Sequence, residues 1–255
     1  MASLNGTRLR ILCFGDSLTA GYSCYGAVYH PYEEKLDQMV AMAFPEYTVQ
    51  TVEDGKPGAM VCVERDFLGR MQRHFGPSSQ PFDWAIVLGG TNDIAIGVEA
   101  ETIYESLKKV WSVALTHGTR VLALTVPDVA MQPSPRTARV DATRKKLNDL
   151  IKGHKQENFH AYDLQAAIPY ASFSDAERNL YWDDAVHFTP DGYDLIGRKV
   201  GMALVSLLVR ERTQSETPAR RQRVYRDDDR VFDEEGGDPN AIDQGYIVVR
   251  RKDLD

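Results

Sequence analysis

The first residue whose type and position point to chemistry is Ser17. It follows Gly15 and Asp16, directly after the apolar run Ile11 to Phe14. A serine at the carboxyl end of a buried strand, where backbone N–H groups are free, is a nucleophile if a base reaches it. The alternative is a turn that caps a helix, because Gly, Asp and Ser all favour turns.

A serine nucleophile needs a base, usually a histidine, and the chain has six histidines. His187 differs from the others because a carboxylate, Asp184, precedes it by three residues on the same predicted loop. Asp184 can there fix the tautomer of the imidazole and stabilise the imidazolium that forms when the ring takes a proton. Asp183 is the neighbouring alternative, and a solvated histidine beside a turn-capping aspartate is the non-catalytic one. For the other histidines we expect packing or helix-end roles; these are His30, His74, His117, His154 and His160.

Acyl transfer also requires hydrogen-bond donors directed at the developing oxyanion. Gly58 offers a backbone N–H that no side chain hinders, and Asn92 offers a side-chain amide. Each has an ordinary alternative, since Gly58 follows Pro57 in a turn and Asn92 suits the start of a helix. The combination favours catalysis, because a serine, a glycine and an amide follow three predicted strands and an aspartate–histidine pair follows the fifth.

The elements that must position these residues alternate along the chain. Apolar or β-branched segments predict five strands, at 8–14, 47–52, 83–88, 120–126 and 159–164. Predicted helices cover 31–44, 61–75, 99–116, 136–151 and a last segment from Thr189, with a loop from 165 to 187. This pattern predicts a five-stranded parallel sheet covered on both faces, a three-layer α/β/α sandwich with flavodoxin-like strand order. Ligands of such sheets bind beyond the carboxyl ends of the strands, where Ser17, Gly58 and Asn92 fall.

Length and composition limit the class of protein. The 255 residues, 43% of them hydrophobic, suffice for one large domain with an appendage. We predict a domain over 1–210 and a charged, disordered tail over 211–255, where apolar residues become sparse. The net charge of −7 disfavours nucleic-acid binding, and no apolar run approaches the roughly 18 residues of a membrane span.

The cysteines and the N-terminal residues indicate which cellular compartment and which metal sites are expected. Three cysteines, without a CxxC pair, disfavour a disulfide framework or a structural zinc site. The first ten residues lack the apolar core of a signal peptide, so we expect a cytoplasmic protein. We expect neither a metal nor a cofactor, because there is no metal-ligand cluster, no P-loop and no GxGxxG after the first strand.

The segments GDSLTAGY, Gly58, GGTND and DAVHF resemble the four signature blocks of the SGNH, or GDSL, hydrolases, in the family order. The resemblance implies an ester hydrolase on a flavodoxin-like fold. It implies Ser17 as the nucleophile, His187 as the general base and Asp184 as the third member of the triad. It also implies an oxyanion hole formed by the backbone N–H groups of Ser17 and Gly58 and the side chain of Asn92.

The second block departs from the family pattern. It reads Gly55-Lys56-Pro57-Gly58, where the family often has Gly-x-Ser-Gly, and Pro57 supplies no N–H. Gly55 is therefore the alternative donor to Gly58. The Gly-x-Ser-x-Gly elbow of the α/β-hydrolases is absent around Ser17.

The resemblance implies a small-molecule ester as substrate. Small acyl esters, including O-acetyl groups on carbohydrates, are the expected substrates. A lysophospholipase- or thioesterase-like acylhydrolase and a non-catalytic binding protein are the alternatives. We predict that Tyr22 and Trp182 contact the substrate, with Tyr25 and Met131 as further candidates, and that loops after Gly21 and at 132–136 select it.

Overall fold

A computed structural model of the chain describes residues 7–131 and 134–216. Internal packing divides the chain into Met1–Arg212 and Thr213–Asp255, and the elements below belong to the first unit, apart from the end of the last helix. The predicted tail lies outside the described residues from 217 onward, and so do positions 132 and 133 of the predicted substrate loop. The disorder of that tail therefore stays a prediction.

The described residues contain seven strands and nine α-helices. The strands are β1 (Thr7–Gly15), β2 (Tyr22–Ser23), β3 (Val28–Tyr29), β4 (Tyr47–Gly55), β5 (Trp84–Leu88), β6 (Arg120–Leu124) and β7 (Phe159–Tyr162). The α-helices are α1 (Ser17–Ala20), α2 (Tyr32–Ala43), α3 (Leu68–His74), α4 (Thr91–Ala95), α5 (Ala100–Thr116), α6 (Pro135–Gly153), α7 (Leu164–Ala167), α8 (Asp175–Tyr181) and α9 (Pro190–Glu216). Two 3₁₀ turns, Cys24–Gly26 and Tyr170–Ser172, complete the set.

Five of the strands form one parallel sheet in the order β4-β1-β5-β6-β7, while β2 and β3 pair as an antiparallel hairpin. Counted within the large sheet alone, the order is 2-1-3-4-5, so the predicted flavodoxin-like fold is confirmed. The register aligns Gly15 of β1 with Gly55 of β4 and with Leu88 of β5. The segments that follow these three strands therefore start side by side at one edge of the sheet.

Successive side chains of a strand point to opposite faces of the sheet, and the apolar side chains of β1 are buried on both faces. Leu9, Ile11 and Cys13 of β1 belong to one core cluster, which includes apolar residues of α2 and α9. Leu12 and Phe14 belong to a second cluster, which includes residues of α3, α5 and α6. The two clusters make the three layers of the sandwich.

The structure corrects two predicted elements. The helix predicted for 61–75 begins only at Leu68, because the N–H groups of Val61 and Cys62 donate to the distant carboxylate of Asp93 instead of to a helical turn. The loop predicted before His187 contains α7, a 3₁₀ turn and α8. The Ser174 and Glu177 side chains form a capping box at the start of α8, a signature present in the sequence.

The predicted domain boundary at 210 falls inside a helix. Helix α9 continues to Glu216. Glu211, the first residue of the predicted tail, pairs with Arg120 of β6, with 2.6 Å between its Oε1 and the arginine Nε. The folded region therefore extends beyond position 210.

Candidate active site

Ser17, His187 and Asp184 form one series of hydrogen bonds at the carboxyl edge of the sheet. Ser17 is the first residue of α1, and its Oγ lies 3.0 Å from Nε2 of His187. The other ring nitrogen of His187, Nδ1, lies 2.9 Å from Oδ2 of Asp184. The structure thus brings together the three residues that the sequence predicted as a triad, although 170 positions separate the serine from the histidine.

A tight turn holds Asp184 against His187. Oδ1 of Asp184 accepts hydrogen bonds from the backbone N–H groups of Val186, at 2.7 Å, and His187, at 2.6 Å. Partial burial acts to raise the pKa of Asp184, but the hydrogen bonds from the His187 side chain and from these N–H groups hold the pKa below its ordinary value. An ionised carboxylate at this position orients the ring and stabilises its positive charge.

The neighbouring carboxylate, Asp183, contacts a different element. Its Oδ2 accepts the backbone N–H of Cys24 at 2.7 Å, which ties the turn to the loop between β2 and β3. Geometry therefore separates the two adjacent aspartates, and it places Asp184 alone against the imidazole.

Gly58 has a left-handed backbone conformation and open space beside its Cα. Its φ is +76°, a left-handed value that glycine adopts without strain, and a Cβ added there would meet nothing within 4 Å. Its N–H makes no hydrogen bond within the part of the chain that the structure describes. The alternative, Gly55, is occupied: its N–H donates to the carboxylate of Glu53 at 2.5 Å, and a Cβ there would clash with the backbone of Ala20.

Hydrogen bonds connect the segment of Gly58 to both neighbouring segments. The N–H of Lys56 donates to the carbonyl of Gly15 at 3.2 Å, next to the serine turn. Asn92, the second residue of α4, donates from Nδ2 to the carbonyl of Ala59 at 2.9 Å. This bond uses one of the two amide hydrogens of Asn92 and leaves the other for a ligand.

Two carboxylates in the motif segments, Asp16 and Asp93, are fully buried beside the predicted site residues, and the motifs alone indicate no role for them. Asp16 is fully buried; its Oδ1 accepts the N–H of Leu18 at 2.9 Å, and its Oδ2 has no partner among the described residues. Burial raises the pKa of Asp16 to about 7. Asp93, also fully buried, accepts the N–H groups of Val61 and Cys62 at 2.8 and 2.9 Å. In the sequence, Asp16 lies next to Ser17 and Asp93 lies next to Asn92. This adjacency is the one indication of their role that the sequence offers.

Arg70 is a third supporting residue, and no sequence motif indicated it. Its side chain is 4% exposed. Nη1 donates to the carbonyls of Gly15, at 3.0 Å, and Asp66, at 2.8 Å, and Nη2 donates to the carboxylate of Asp54 at 2.6 Å. Arg70 thus holds the end of β1, from which the serine turn begins.

The predicted substrate contacts separate into three environments. Tyr22 is half-buried, and its ring centroid lies 4.7 Å from that of His187. Tyr25 is 95% exposed. Trp182 is 7% exposed and packs against Phe188 and other aromatic residues of the core, and its role as a substrate contact stays a prediction. Met131 is exposed and lines a small cavity together with Arg144 and Val186.

A bilayer-spanning helix and a metal-binding cluster are both absent from residues 7–131 and 134–216. No helix within residues 7–131 and 134–216 is long and apolar enough to cross a bilayer. Over the same ranges, no group of three or more His, Cys, Asp or Glu side chains is arranged to hold a metal ion.

Several solved structures share this fold. A carbohydrate acetylesterase family member from Sinorhizobium meliloti is 17% identical with a TM-score of 0.58, over 79% of this chain and 99% of that one. A lipase/acylhydrolase from Enterococcus faecalis is 21% identical with a TM-score of 0.56, over 78% and 96%. An acetylxylan esterase from Geobacillus stearothermophilus is 19% identical with a TM-score of 0.56, over 76% and 93%.

At these identities the structural likeness establishes the fold alone. No curated protein matches the chain by sequence. Residues 13–195 match the sequence model of the GDSL-like lipase/acylhydrolase family, and this range contains each of the predicted site residues. The match covers more than half of the chain, and the chain therefore belongs to the GDSL-like lipase/acylhydrolase family.

Proposed function

We propose that this protein is a serine esterase that hydrolyses short-chain carboxylic esters through an acyl-enzyme on Ser17. Membership of the family implies hydrolysis of ester bonds. The observation that carries the proposal is the unbroken hydrogen-bonded series from Ser17 Oγ through the His187 ring to the carboxylate of Asp184, at 3.0 and 2.9 Å.

In the first half of the reaction, Nε2 of His187 takes the proton of Ser17 as Oγ attacks the ester carbonyl carbon. The ring becomes an imidazolium, and the ionised Asp184 stabilises its positive charge. The negative charge on the carbonyl oxygen is held by the N–H groups of Ser17 and Gly58 and by the Asn92 amide. Collapse of the tetrahedral intermediate releases the alcohol, which takes the proton from Nε2 and leaves the acyl group on Oγ.

In the second half, water replaces the alcohol. Nε2 of His187 takes a proton from the water as its oxygen attacks the acyl carbon, and the same donors hold the second oxyanion. Collapse breaks the bond to Oγ of Ser17, returns the proton to this oxygen and releases the carboxylic acid. The protein ends unchanged.

Short acyl esters, including O-acetyl groups on carbohydrates, are the substrates that we propose. Two of the structurally similar proteins are described as a carbohydrate acetylesterase family member and an acetylxylan esterase, which supports this class. The exposed rings of Tyr25 and Tyr29, on the hairpin beside the site, offer a surface for the alcohol portion of such esters.

The proposal is tested by labelling and by substitution. A fluorophosphonate probe, followed by peptide mass spectrometry, should label Ser17. Ser17→Ala should lower the hydrolysis of 4-nitrophenyl acetate at least about 10³-fold while the thermal melting curve is kept. Ser206→Ala, on the exposed surface of α9, is the matched control and should retain activity. Near-full activity of Ser17→Ala, or labelling of another serine alone, would overturn the mechanism.

A further inference from the structure

The carbonyl of Gly15 joins the two segments that carry the proposed backbone donors of the oxyanion hole. It accepts the N–H of Lys56 at 3.2 Å. Gly15 lies two residues before Ser17, and Lys56 lies two residues before Gly58. A shift at this hydrogen bond therefore changes the separation of the Ser17 and Gly58 N–H groups, because the chain from the bond to each donor is short.

The guanidinium of Arg70 binds the ends of both strands at this point. On the side of β1, Nη1 donates to the Gly15 carbonyl at 3.0 Å. On the side of β4, Nε and Nη2 donate to Oδ1 of Asp54 at 3.2 and 2.6 Å, and Nη2 also donates to the Asp54 carbonyl. With the bond from Nη1 to the Asp66 carbonyl, five hydrogen bonds match the five N–H donors of a guanidinium.

Aromatic rings and a histidine restrict this arginine further. Its guanidinium carbon lies 4.6 Å from the ring centroid of Phe14 and 5.8 Å from that of Phe67. The carboxylate of Asp54 is itself held, since its Oδ2 lies 2.7 Å from Nε2 of His74. A planar guanidinium with all of its donors paired cannot rotate without losing hydrogen bonds, so Arg70 fixes the two strand ends relative to each other.

A second set of contacts leads from Arg70 to the segment of Gly58. Asp66, whose carbonyl accepts Nη1 of Arg70 at 2.8 Å, also pairs through its carboxylate with Nζ of Lys56, at 2.5 Å. The third proposed donor is held differently, because the Asn92 amide bonds to the carbonyl of Ala59. The contacts of Arg70 therefore concern the two backbone donors and not the side-chain donor.

We propose that Arg70 is a positioning residue that sets the spacing of the two backbone donors of the oxyanion hole, the N–H groups of Ser17 and Gly58. The inference rests on the proposed function, since it concerns the oxyanion of the same reaction. Arg70 is buried, and the Asp54 carboxylate at 2.6 Å offsets its charge, so its effect is geometric. Hydrogen bonds to an oxyanion weaken steeply as distance and angle depart from their best values.

The test compares 4-nitrophenyl acetate with 4-nitrophenyl thionoacetate, in which sulfur replaces the carbonyl oxygen and the leaving group is the same. Sulfur is larger and a weaker acceptor, so donors spaced for an oxyanion favour the oxygen ester. After correction for the rates of both esters with hydroxide, the wild-type kcat/KM ratio of oxygen ester to thiono ester should be about 10² or more. The ratio does not depend on the folded fraction, because both rates scale with it.

Arg70→Lys keeps the positive charge, but a single ammonium group cannot bind both strand ends as the planar guanidinium does. It should lower kcat for 4-nitrophenyl acetate by about 10 to 10²-fold, with KM within about threefold, and lower the oxygen-to-sulfur ratio at least about fivefold. Arg70→Met should lower the ratio at least as much. Arg73→Lys, at an exposed position of the same helix, is the matched control and should keep the wild-type kcat and ratio.

Asp54→Asn keeps the inference testable if the variants of Arg70 fail to fold. The Asp54 side chain is 28% exposed, and the amide has the shape of the carboxylate but accepts more weakly from Arg70. The oxygen-to-sulfur ratio should fall about threefold, because the guanidinium is held less firmly on the side of β4. An unchanged ratio in a variant with the wild-type melting curve overturns the proposal.

The remaining outcomes separate positioning from charge, and this inference from the proposed function. A folded Arg70→Lys variant with the wild-type ratio overturns positioning, including the case in which only Arg70→Met loses activity, since charge alone would then suffice. A wild-type ratio near one overturns it as well. If the wild type hydrolyses neither ester and the fluorophosphonate does not label Ser17, the proposed function itself has failed. Labelling and hydrolysis with unchanged ratios in folded variants contradict the role of Arg70 alone.

Discussion

The ring of Tyr22 lies against the imidazole of His187, with 4.7 Å between the ring centroids and 47° between the planes. A hydrogen bond fixes the backbone of Tyr22, because the hydroxyl of Tyr193 donates to the Tyr22 carbonyl at 2.7 Å. Tyr22, the first residue of β2, therefore packs against the ring whose Nδ1 lies 2.9 Å from the carboxylate of Asp184.

Tyr22→Ala should lower kcat/KM about tenfold, because it removes the packing that restricts the His187 ring.

Trp182→Phe should instead leave KM unchanged and lower the free energy of unfolding by about 1 to 3 kcal/mol, because it opens a cavity in the core. Steady-state kinetics with 4-nitrophenyl acetate and urea denaturation distinguish the two. A several-fold rise in KM for Trp182→Phe at unchanged stability would instead show that Trp182 contacts the substrate.

The two adjacent aspartates give a matched pair of variants. Asp184→Asn should lower kcat by about 10² to 10⁴-fold, because the neutral amide stabilises neither the correct tautomer nor the imidazolium. Asp183→Asn, which weakens the two hydrogen bonds from Cys24, should change kcat less than about tenfold. Single-turnover kinetics on both variants measure the effect, and equal losses would show that the geometry does not distinguish their roles.

Asn92→Ala should lower kcat by about 10² to 10³-fold with little change in KM, because an oxyanion donor acts mainly in the transition state. The loss of its hydrogen bond to Ala59 should lower the free energy of unfolding by only about 1 kcal/mol. Activity and thermal melting are measured on the same preparation. A loss of activity that is fully explained by unfolding would argue against the role of Asn92 as a donor.

Asp16 makes stability depend on pH. Burial raises its pKa from the ordinary value of 3.8 to about 7, so between these values the folded protein keeps a proton that the unfolded chain has released. The free energy of unfolding therefore falls as pH rises through this range, by at most roughly 4 kcal/mol at about 1.4 kcal/mol per pKa unit.

Asp16→Asn tests this dependence, because the amide has the same shape, still accepts the N–H of Leu18 and carries no charge. As the pH rises from about 5 to about 8, the free energy of unfolding of the variant should increase relative to that of the wild type. Urea denaturation of both proteins at these two pH values measures this change. The same pH dependence in both proteins would show that Asp16 does not titrate in this range.

Much of the architecture was readable from local sequence. The strands that form the sheet are runs of apolar or β-branched residues, and their burial on one or both faces follows from that composition. Helix α9 begins as predicted, with Thr189 Oγ1 accepting the N–H of Gly192. The segment 61–67 was mispredicted, because the carboxylate that takes its N–H groups lies about 30 residues further along the chain.

The sequence by itself determined the fold class and the candidate groups: a serine after the first strand, an amide after the third strand of the sheet, and a histidine with an aspartate three residues before it. Only the tertiary structure decided which aspartate meets the imidazole, which glycine has a free N–H, that Trp182 lies in the core, and that Arg70 binds the ends of two strands. The physical reason is that composition and periodicity act between neighbours along the chain. These choices depend instead on hydrogen bonds and packing between segments that only the folded sheet brings into contact.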